Sequence, residues 1–565
     1  MRELMDPVLL YEITQRLGAR TFAFLRKLDE AIKPERGVPL LPTRVLVIGG
    51  LCLGEEPGPN TVTHLARMMA RANQGQLHML YGIPMGPAHT PGPDLKPPSE
   101  PQIYRLFDVL ATVQGKHSRP WELEGLNGKR LEASKRLWER RMKRARELLG
   151  TDNDMDTQIA MSILLLQDTA PPQPKGAAHT TDTTEIEADC RPISQARLKR
   201  GEHAADRDAA HRVRQKGDRD LDAPGERERR QSGEKAKTER YFGFGDDVIG
   251  GTAENASYVY GHALFAANQY DVPVSVRLVE MLMAHGHQVT ELIGDRGFSQ
   301  DKNWMAGLRR LGVMPRFDLK STQQHTYPSL RGCLVLPSGV YVPFLPRRLW
   351  FIERPGPKAP AEKKAAYRQA IKEREIYAFG PHGRPTPGRV RLSSPVLRRK
   401  TTNALGCPNV PGSMRRRDLR LAACDGNHGD DEACCIKTAT LKAEELPSIF
   451  QYPFWGTPEW EEKYAKRTNV ERGFSTFKNP DVIGMTKGQF HYRHIPNVSL
   501  LVTFMWGVHN LHIWLKRERD AAKAAAAALK KHRLRPRRSA QVAVVQDPGS
   551  TPLDEPEQAE DSRAP

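Results

Sequence analysis

Four residues near the C-terminal end of the chain carry reactive groups at fixed intervals. Tyr464, Arg467, Glu471 and Lys478 stand at relative positions 0, 3, 7 and 14. On one continuous α-helix of 3.6 residues per turn, these offsets become about 0°, −60°, −20° and −40°, an arc of roughly 60°. One carboxylate set between two cations and a phenol suits a phosphate beside a metal ion. A solvated, salt-bridged helix face produces the same stripe. A second acid, Asp295, sits in Gly294-Asp295-Arg296-Gly297-Phe298, where the short apolar run Gln288–Ile293 gives way to the helical pattern Gln300–Leu311. Ligand crevices in open α/β sheets lie at the carboxyl ends of strands, so Asp295 can face one. It can equally cap the following helix or close a turn. A third acid is Asp182, in His179-Thr180-Thr181-Asp182-Thr183-Thr184-Glu185-Ile186. The threonines favour extended structure, although the segment lacks a run of Val and Ile. Asp168, which closes the apolar run Ser162–Gln167, competes with Asp182 for this role, and Asp182 is preferred.

The spacing Tyr-x2-Arg-x3-Glu-x6-Lys resembles the YREK signature of the IS4-type DDE transposases of bacterial insertion sequences, and all four positions match. The Asp295-Arg296-Gly297-Phe298 run resembles the family's context for its second acid, and Asp182-Thr183 that of its first. Tyr258-Val259-Tyr260-Gly261-His262-Ala263-Leu264 resembles the strand between them. The resemblance spans about residues 175–515. It implies an RNase H-like α/β catalytic core in which Asp182, Asp295 and Glu471 hold two divalent ions, Mg²⁺ with Mn²⁺ as a substitute. Hard oxygen ligands suit both ions. It further implies cut-and-paste transposition, in which water cuts a strand at the transposon end and the freed 3′-hydroxyl attacks a second strand. Tyr464, Arg467 and Lys478 would then hold DNA phosphates near the terminus. The implied partners are double-stranded DNA, as terminal inverted repeats and target, and a second copy of the chain in a synaptic complex. The implied location is the bacterial cytoplasm, on the nucleoid when DNA-bound. Two other readings compete: a catalytically dead DNA-binding relic or repressor, and a structure-specific nuclease of the same fold.

The elements that must position these residues follow from composition and pattern. Residues 1–150 read as a mainly helical region for DNA binding. Leu9, Leu10, Ile13 and Leu17 lie at helical spacing. Lys129–Leu149 predicts a basic helix that carries Arg136, Arg140, Arg141, Lys143, Arg144 and Arg146. Such a helix either faces phosphates or is solvated. Residues 175–320 predict the first part of the catalytic core. Within it, residues 191–240 are half charged and contain no Phe, Trp or Tyr, which predicts a disordered insertion. Residues 321–460 predict a β-rich insertion, residues 461–518 the last part of the core with the Glu471 helix, and residues 519–565 a disordered tail. A set of Cys407, Cys424, Cys434 and Cys435, with His428, has ligand types that suit zinc but poor spacing for it, so free thiols are the preferred reading. Trp455 and Trp460 read as core or surface tryptophans. In the family's terms, one of them would stack an unpaired base.

Lys and Arg exceed Asp and Glu by 19 charges, a balance common among chains that bind nucleic acid. Val45–Leu53 and Leu500–Val508, the longest apolar runs, fall far short of the roughly 18 residues of a membrane helix. The N-terminus lacks a secretory pattern. With only seven cysteines, a secreted disulfide framework is not expected, and neither is a membrane protein.

Overall fold

The computed structural model describes residues 7–34, 40–52, 62–83, 94–115, 127–194, 197, 199–200, 204–215, 238–253, 256–269, 272–330, 332–356, 358–397, 405–407, 413, 420–421, 438–446, 448–486 and 490–533. Within these residues the chain is mixed α/β. It divides into two units, residues 1–514 and 515–565.

Eight helices come first: α1 (Pro7–Arg16), α2 (Ala19–Ile32), α3 (Thr43–Cys52), α4 (Val62–Met69), α5 (Gln74–Tyr81), α6 (Glu100–Gln114), α7 (Gly128–Leu149) and α8 (Asp154–Leu166). The periodicity read at Leu9, Leu10, Ile13 and Leu17 is the buried face of α1 and its end. Helix α3 is buried almost all round, which explains why Val45–Leu51 is apolar without an amphipathic period. This helical region is not a separate body; it belongs to the same unit as the sheet that follows.

That sheet has six strands: β1 (His179–Glu187), β2 (Ala210–Gln215), β3 (Thr238–Gly251), β4 (Val259–Ala266), β5 (Glu291–Ile293) and β6 (Met314–Arg316). The order is β2-β3-β1-β5-β6, and β4 also pairs with β3. The fourteen-residue β3 shares one edge between two partners: its first part takes β2 and its second part takes β4. Strand β1 runs antiparallel to β3 along its whole length, whereas β5 is parallel to β1 and β6 parallel to β5. The two parallel steps are made by helix crossovers, as parallel pairing requires: α9 (Val272–Ala284) precedes β5, and α10 (Lys302–Arg310) precedes β6.

Two expectations change here. The charged segment at 191–240 contains ordered strands, because β2 and the start of β3 lie inside it and pair as antiparallel strands. Ladder hydrogen bonds are backbone bonds, so charged side chains do not prevent them. Residues 216–237 lie outside the described residues. Residues 321–460 contain β7 (Tyr327–Leu330), β8 (Cys333–Leu336) and β9 (Gly339–Tyr341) in one small sheet. They also contain a fifteen-residue helix, α11 (Ala361–Glu375), so the insertion is mixed and not purely β. Strands β10 (Gly380–Pro381), β11 (Arg389–Ser393) and β14 (Thr438–Lys442) form a second small sheet, and β12 (Leu405–Gly406) pairs with β13 (Arg420–Leu421).

The chain then returns to helix: α12 (Pro458–Tyr464), a 3₁₀ turn (Ala465–Arg467), α13 (Thr468–Lys478) and the long α14 (Ile495–Arg533). Because α14 runs to Arg533, residues 519–533 are helical and not part of a disordered tail; residues 534–565 lie outside the described residues. Helix α14 is also long and apolar enough, by length and composition, to cross a membrane. Its apolar stretch is core, however: Val498, Leu501, Val502, Met505, Trp506 and Val508 are all buried within the fold. Glycines let α14 approach α3 closely. A Cβ on Gly50 would lie 2.9 Å from the Phe504 ring, and one on Gly507 would collide with Leu51. Asn510 locks the same helix to β4, accepting from Val259 N at 2.8 Å and donating to Val259 O at 2.7 Å.

Candidate active site

The strand registers bring two of the acids together. Thr180 of β1 stands beside Ile293 of β5. Two residues further along each strand path lie Asp182 and Asp295, at the carboxyl end of β5. Side chains two apart on a strand share a face. Asp182 is paired in register with Val248, which is paired with His262, so these residues define one face of the sheet. Helices α13 and α14 cover that face, and α8, α9 and α10 cover the other. Glu471 is on α13, which packs against β1 and β3 through buried Val470, Gly473 and Phe477. The three acids thus come from a strand, a strand end and a helix over one sheet face.

The four-residue stripe is not on one helix. Tyr464 ends α12, Arg467 ends the 3₁₀ turn, and Glu471 and Lys478 belong to α13. A tighter turn advances by about 120° per residue, so the uniform 100° step fails between Tyr464 and Arg467. Tyr464 stacks face to face on Trp460, with centroids 4.6 Å apart and planes 10° from parallel. Burial raises its phenol pKa above the ordinary range, against the pull of the Arg467 charge. Lys478 is half-buried in the last turn of α13, about two turns beyond Glu471. Thr468 is exposed and its hydroxyl donates to Ala465 O at 2.9 Å.

Arg467 lies among the acids. Its Nη1 donates to Asp182 Oδ2 at 3.1 Å, and its Nη2 donates to Glu471 Oε1. Asp295 is close enough for its charge to act on both Asp182 and Arg467. Burial, then the neighbouring Asp295 charge, pushes Asp182 up to about 6; the Arg467 charge and the Thr183 N–H pull against that rise. The DNA contact that the resemblance implies for Arg467 is therefore not its position here, where the guanidinium bridges two carboxylates.

The competing roles of the acids correspond to distinct contacts. Asp168 accepts hydrogen bonds from Gly18 N at 3.0 Å, Thr21 N at 3.3 Å and the Thr21 hydroxyl. It caps α2 from across the fold. Asp295 does close a turn, accepting from Gly297 N at 2.7 Å, but the cap of α10 is Asp301, which accepts from Asn303 N and Trp304 N. The turn bond occupies Oδ1 of Asp295. A carboxylate has about four acceptor positions, so this bond does not use up the group.

A buried polar layer under the acids was not singled out from sequence. Asp246 of β3 is fully buried; it meets His262 Nδ1 at 2.7 Å and accepts from Trp506 Nε1 at 2.9 Å. His262 Nε2 lies 2.8 Å from the Thr503 hydroxyl. On the opposite face, Thr181 donates to Asp247 at 2.9 Å. Trp506 also stacks on Phe477 of α13, at 3.9 Å between centroids. One tryptophan therefore links β3, α14 and the helix that carries Glu471. Two adjacent acids inside the strand-like run Gly245-Asp246-Asp247-Val248-Ile249 were the available signal, since carboxylates are rarely buried without partners.

Outside the site, Asp206, Asp208 and His494 place ligand-type atoms within 4.8 Å of one another. Their carboxylates already accept backbone hydrogens: Asp206 from His494 N and Asp208 from Ile495 N, both at 2.9 Å. They therefore anchor the start of α14. Of the cysteine set, Cys407 is buried, while Cys424, Cys434, Cys435 and His428 lie outside the described residues. Trp460 is buried and donates to Gln451 at 2.7 Å; Trp455 donates to Asp318 at 2.8 Å. Comparison of the chain with protein-family models, curated proteins and solved structures found no match.

Proposed function

We propose that the chain is a DDE-type DNA transposase with an RNase H-like core. The observation that carries this reading is the convergence of Asp182, Asp295 and Glu471, which are widely separated in sequence, around a single cation over one face of a mixed sheet. The strand path supports it. Three antiparallel strands, β1, β3 and β4, are followed by two strands parallel to β1, with the first acid on β1 and the second just past the neighbouring parallel strand.

The residues present fit divalent metal. Three hard carboxylates converge, and burial and the Asp295 charge disfavour the ionised form of Asp182 against the opposing pull of Arg467. Asp182, Asp295 and Glu471 would hold the ions. Two divalent ions supply charge stabilisation to the attacking and leaving oxygens of an in-line phosphoryl displacement. The chain's own groups do the rest. The stacked Trp460–Tyr464 pair fixes the turn that presents Arg467. Lys463, which pairs with Glu291 at 3.1 Å, ties α12 to the strand that leads to Asp295. Arg467 and Lys478 supply the cations for phosphates, Arg467 through a fork that suits bidentate contact.

The test is a cleavage and strand-transfer assay on DNA that carries the element's own terminal repeats. Asp295→Asn and Glu471→Gln keep shape and remove charge. Each is expected to abolish Mg²⁺-dependent cleavage while end binding persists. Cleavage within a few-fold of the parent overturns the reading. Cleavage without joining of the 3′-hydroxyl would make the chain a nuclease, and end binding by an uncleaving parent would make it a relic or repressor.

A further inference from the structure

Arg467 stands where a dication would have to go. One guanidinium nitrogen is 3.1 Å from Asp182 Oδ2 and the other is bonded to Glu471 Oε1. Metal–oxygen distances for Mg²⁺ are about 2.0–2.1 Å in a near-octahedral shell. An ion bound by both of these carboxylates cannot share that space with the guanidinium between them. The side chain is held by two carboxylates on different elements and is only one-fifth exposed, so it is not a surface arginine that drifts away without cost. It also stands at the junction of the 3₁₀ turn and α13, not in the middle of a packed helix.

From this placement we infer that Arg467 is a gate between metal and nucleic acid. In the free chain it neutralises Asp182 and Glu471 and competes with divalent ions. A DNA phosphate draws the guanidinium off the acids and opens them to metal. The inference rests on the functional reading above and adds a regulation to it. The chemistry is balanced at each stage. Three carboxylates with one guanidinium carry a formal surplus of negative charge; removing the guanidinium to a phosphate increases that surplus, and divalent ions then offset it. A phosphodiester is a fitting acceptor because the planar fork of Arg pairs with phosphate as well as with carboxylate. Coupling of this kind is reciprocal: whatever factor DNA adds to metal affinity, metal adds to DNA affinity. The usual range is about 5- to 150-fold.

The experiment measures metal binding directly and needs no turnover. Mn²⁺ is titrated into the full chain and the free ion is followed by its paramagnetic resonance signal, first alone and then with a saturating duplex. The parent is expected to bind Mn²⁺ weakly alone and several-fold more tightly with DNA. Arg467→Ala is expected to bind tightly in both conditions, with the DNA dependence gone. Arg467→Lys retains the charge but cannot fork between two acids, and is expected to fall between parent and Arg467→Ala. This variant carries the test if the alanine variant does not fold. Arg467→Ala or Arg467→Lys binding Mn²⁺ no more tightly than the parent in the absence of DNA would overturn the gate, provided that Asp295→Asn still removes the binding. If Asp295→Asn binds Mn²⁺ as the parent does, the acids are not a metal site, and the functional reading fails with the gate.

Discussion

Asp182 sits in an environment far from that of an ordinary surface carboxylate. Burial and the charge of Asp295 raise it to about 6, from an unfolded value near 3.9. A group raised in this way stabilises the folded chain fully below the unfolded value, and that contribution is lost as pH rises through about 6. At neutral pH its ionised form is therefore a liability in the metal-free protein. Asp182→Asn removes the liability while removing a proposed ligand. The variant is expected to melt above the parent at pH 7.5, by on the order of 2 kcal/mol, and to lose that advantage near pH 4. A variant less stable than the parent at pH 7.5 would mean that the Arg467 bond outweighs desolvation. Asp168→Asn is expected to do the reverse. It weakens a cap that receives three hydrogen bonds, costs about 1 kcal/mol, and leaves metal binding unchanged. The sequence singles out Asp182, Asp295 and Glu471, each beside a structural alternative. The role of Asp168 was not legible there, because its partners Gly18 and Thr21 stand 150 and 147 residues away and no local pattern encodes them. The contact of Arg467 with two acids was hidden for a related reason: a helical wheel assumes a continuous helix, and the break at Ala465–Arg467 changes where the side chain points.

The elements were legible where periodicity is long and local. Helices α1, α7 and α10 lie where the sequence pattern predicts them, and β5 lies within the apolar run before α10. Strand β2 was missed because its backbone pairs with β3 while its sequence, Ala210-His211-Arg212-Val213-Arg214-Gln215, reads as part of a charged linker. Also invisible was the device that holds α13 over the sheet. Trp506 stacks on Phe477 and donates to Asp246, so the position of Glu471 depends on a residue more than thirty positions further along the chain. Trp506→Phe retains most of the ring contact but leaves an oxygen of a fully buried carboxylate without its donor. The expected cost is about 1–3 kcal/mol, read by denaturant melting, with weaker Mn²⁺ binding as α13 loosens. Unchanged stability would mean that water or another donor reaches Asp246, and the tryptophan would then be packing alone.

At the scale of the whole molecule the excess of 19 positive charges has to be placed, and α7 divides its share unequally. Of the six cations between Arg136 and Arg146, Arg141 is buried, within 5.7 Å of the Trp138 ring centroid, and Arg146 is paired with Asp154. Arg136, Arg140, Lys143 and Arg144 remain exposed on one side. One ion pair there, Lys143 with Glu147, is a 3.9 Å surface contact of the kind worth about 0–1 kcal/mol. These four carry their charge on the exposed side of α7, whereas Arg141 and Arg146 serve the fold. Removing the four together is expected to weaken DNA binding and to flatten its salt dependence. Each phosphate contact contributes about −0.9 to the slope of log affinity against log salt, so the quadruple alanine variant should lose up to about 3.6 units of slope. The parent slope itself should be steeper than about −3. Lys363, Arg368 and Lys372 are exposed cations on α11 and serve as the control. If their removal changes the slope as much as the α7 set does, the charge acts as a diffuse field and α7 is not a docking face. If neither set changes it, the exposed side of α7 is solvated, and the phosphates are held elsewhere on the chain.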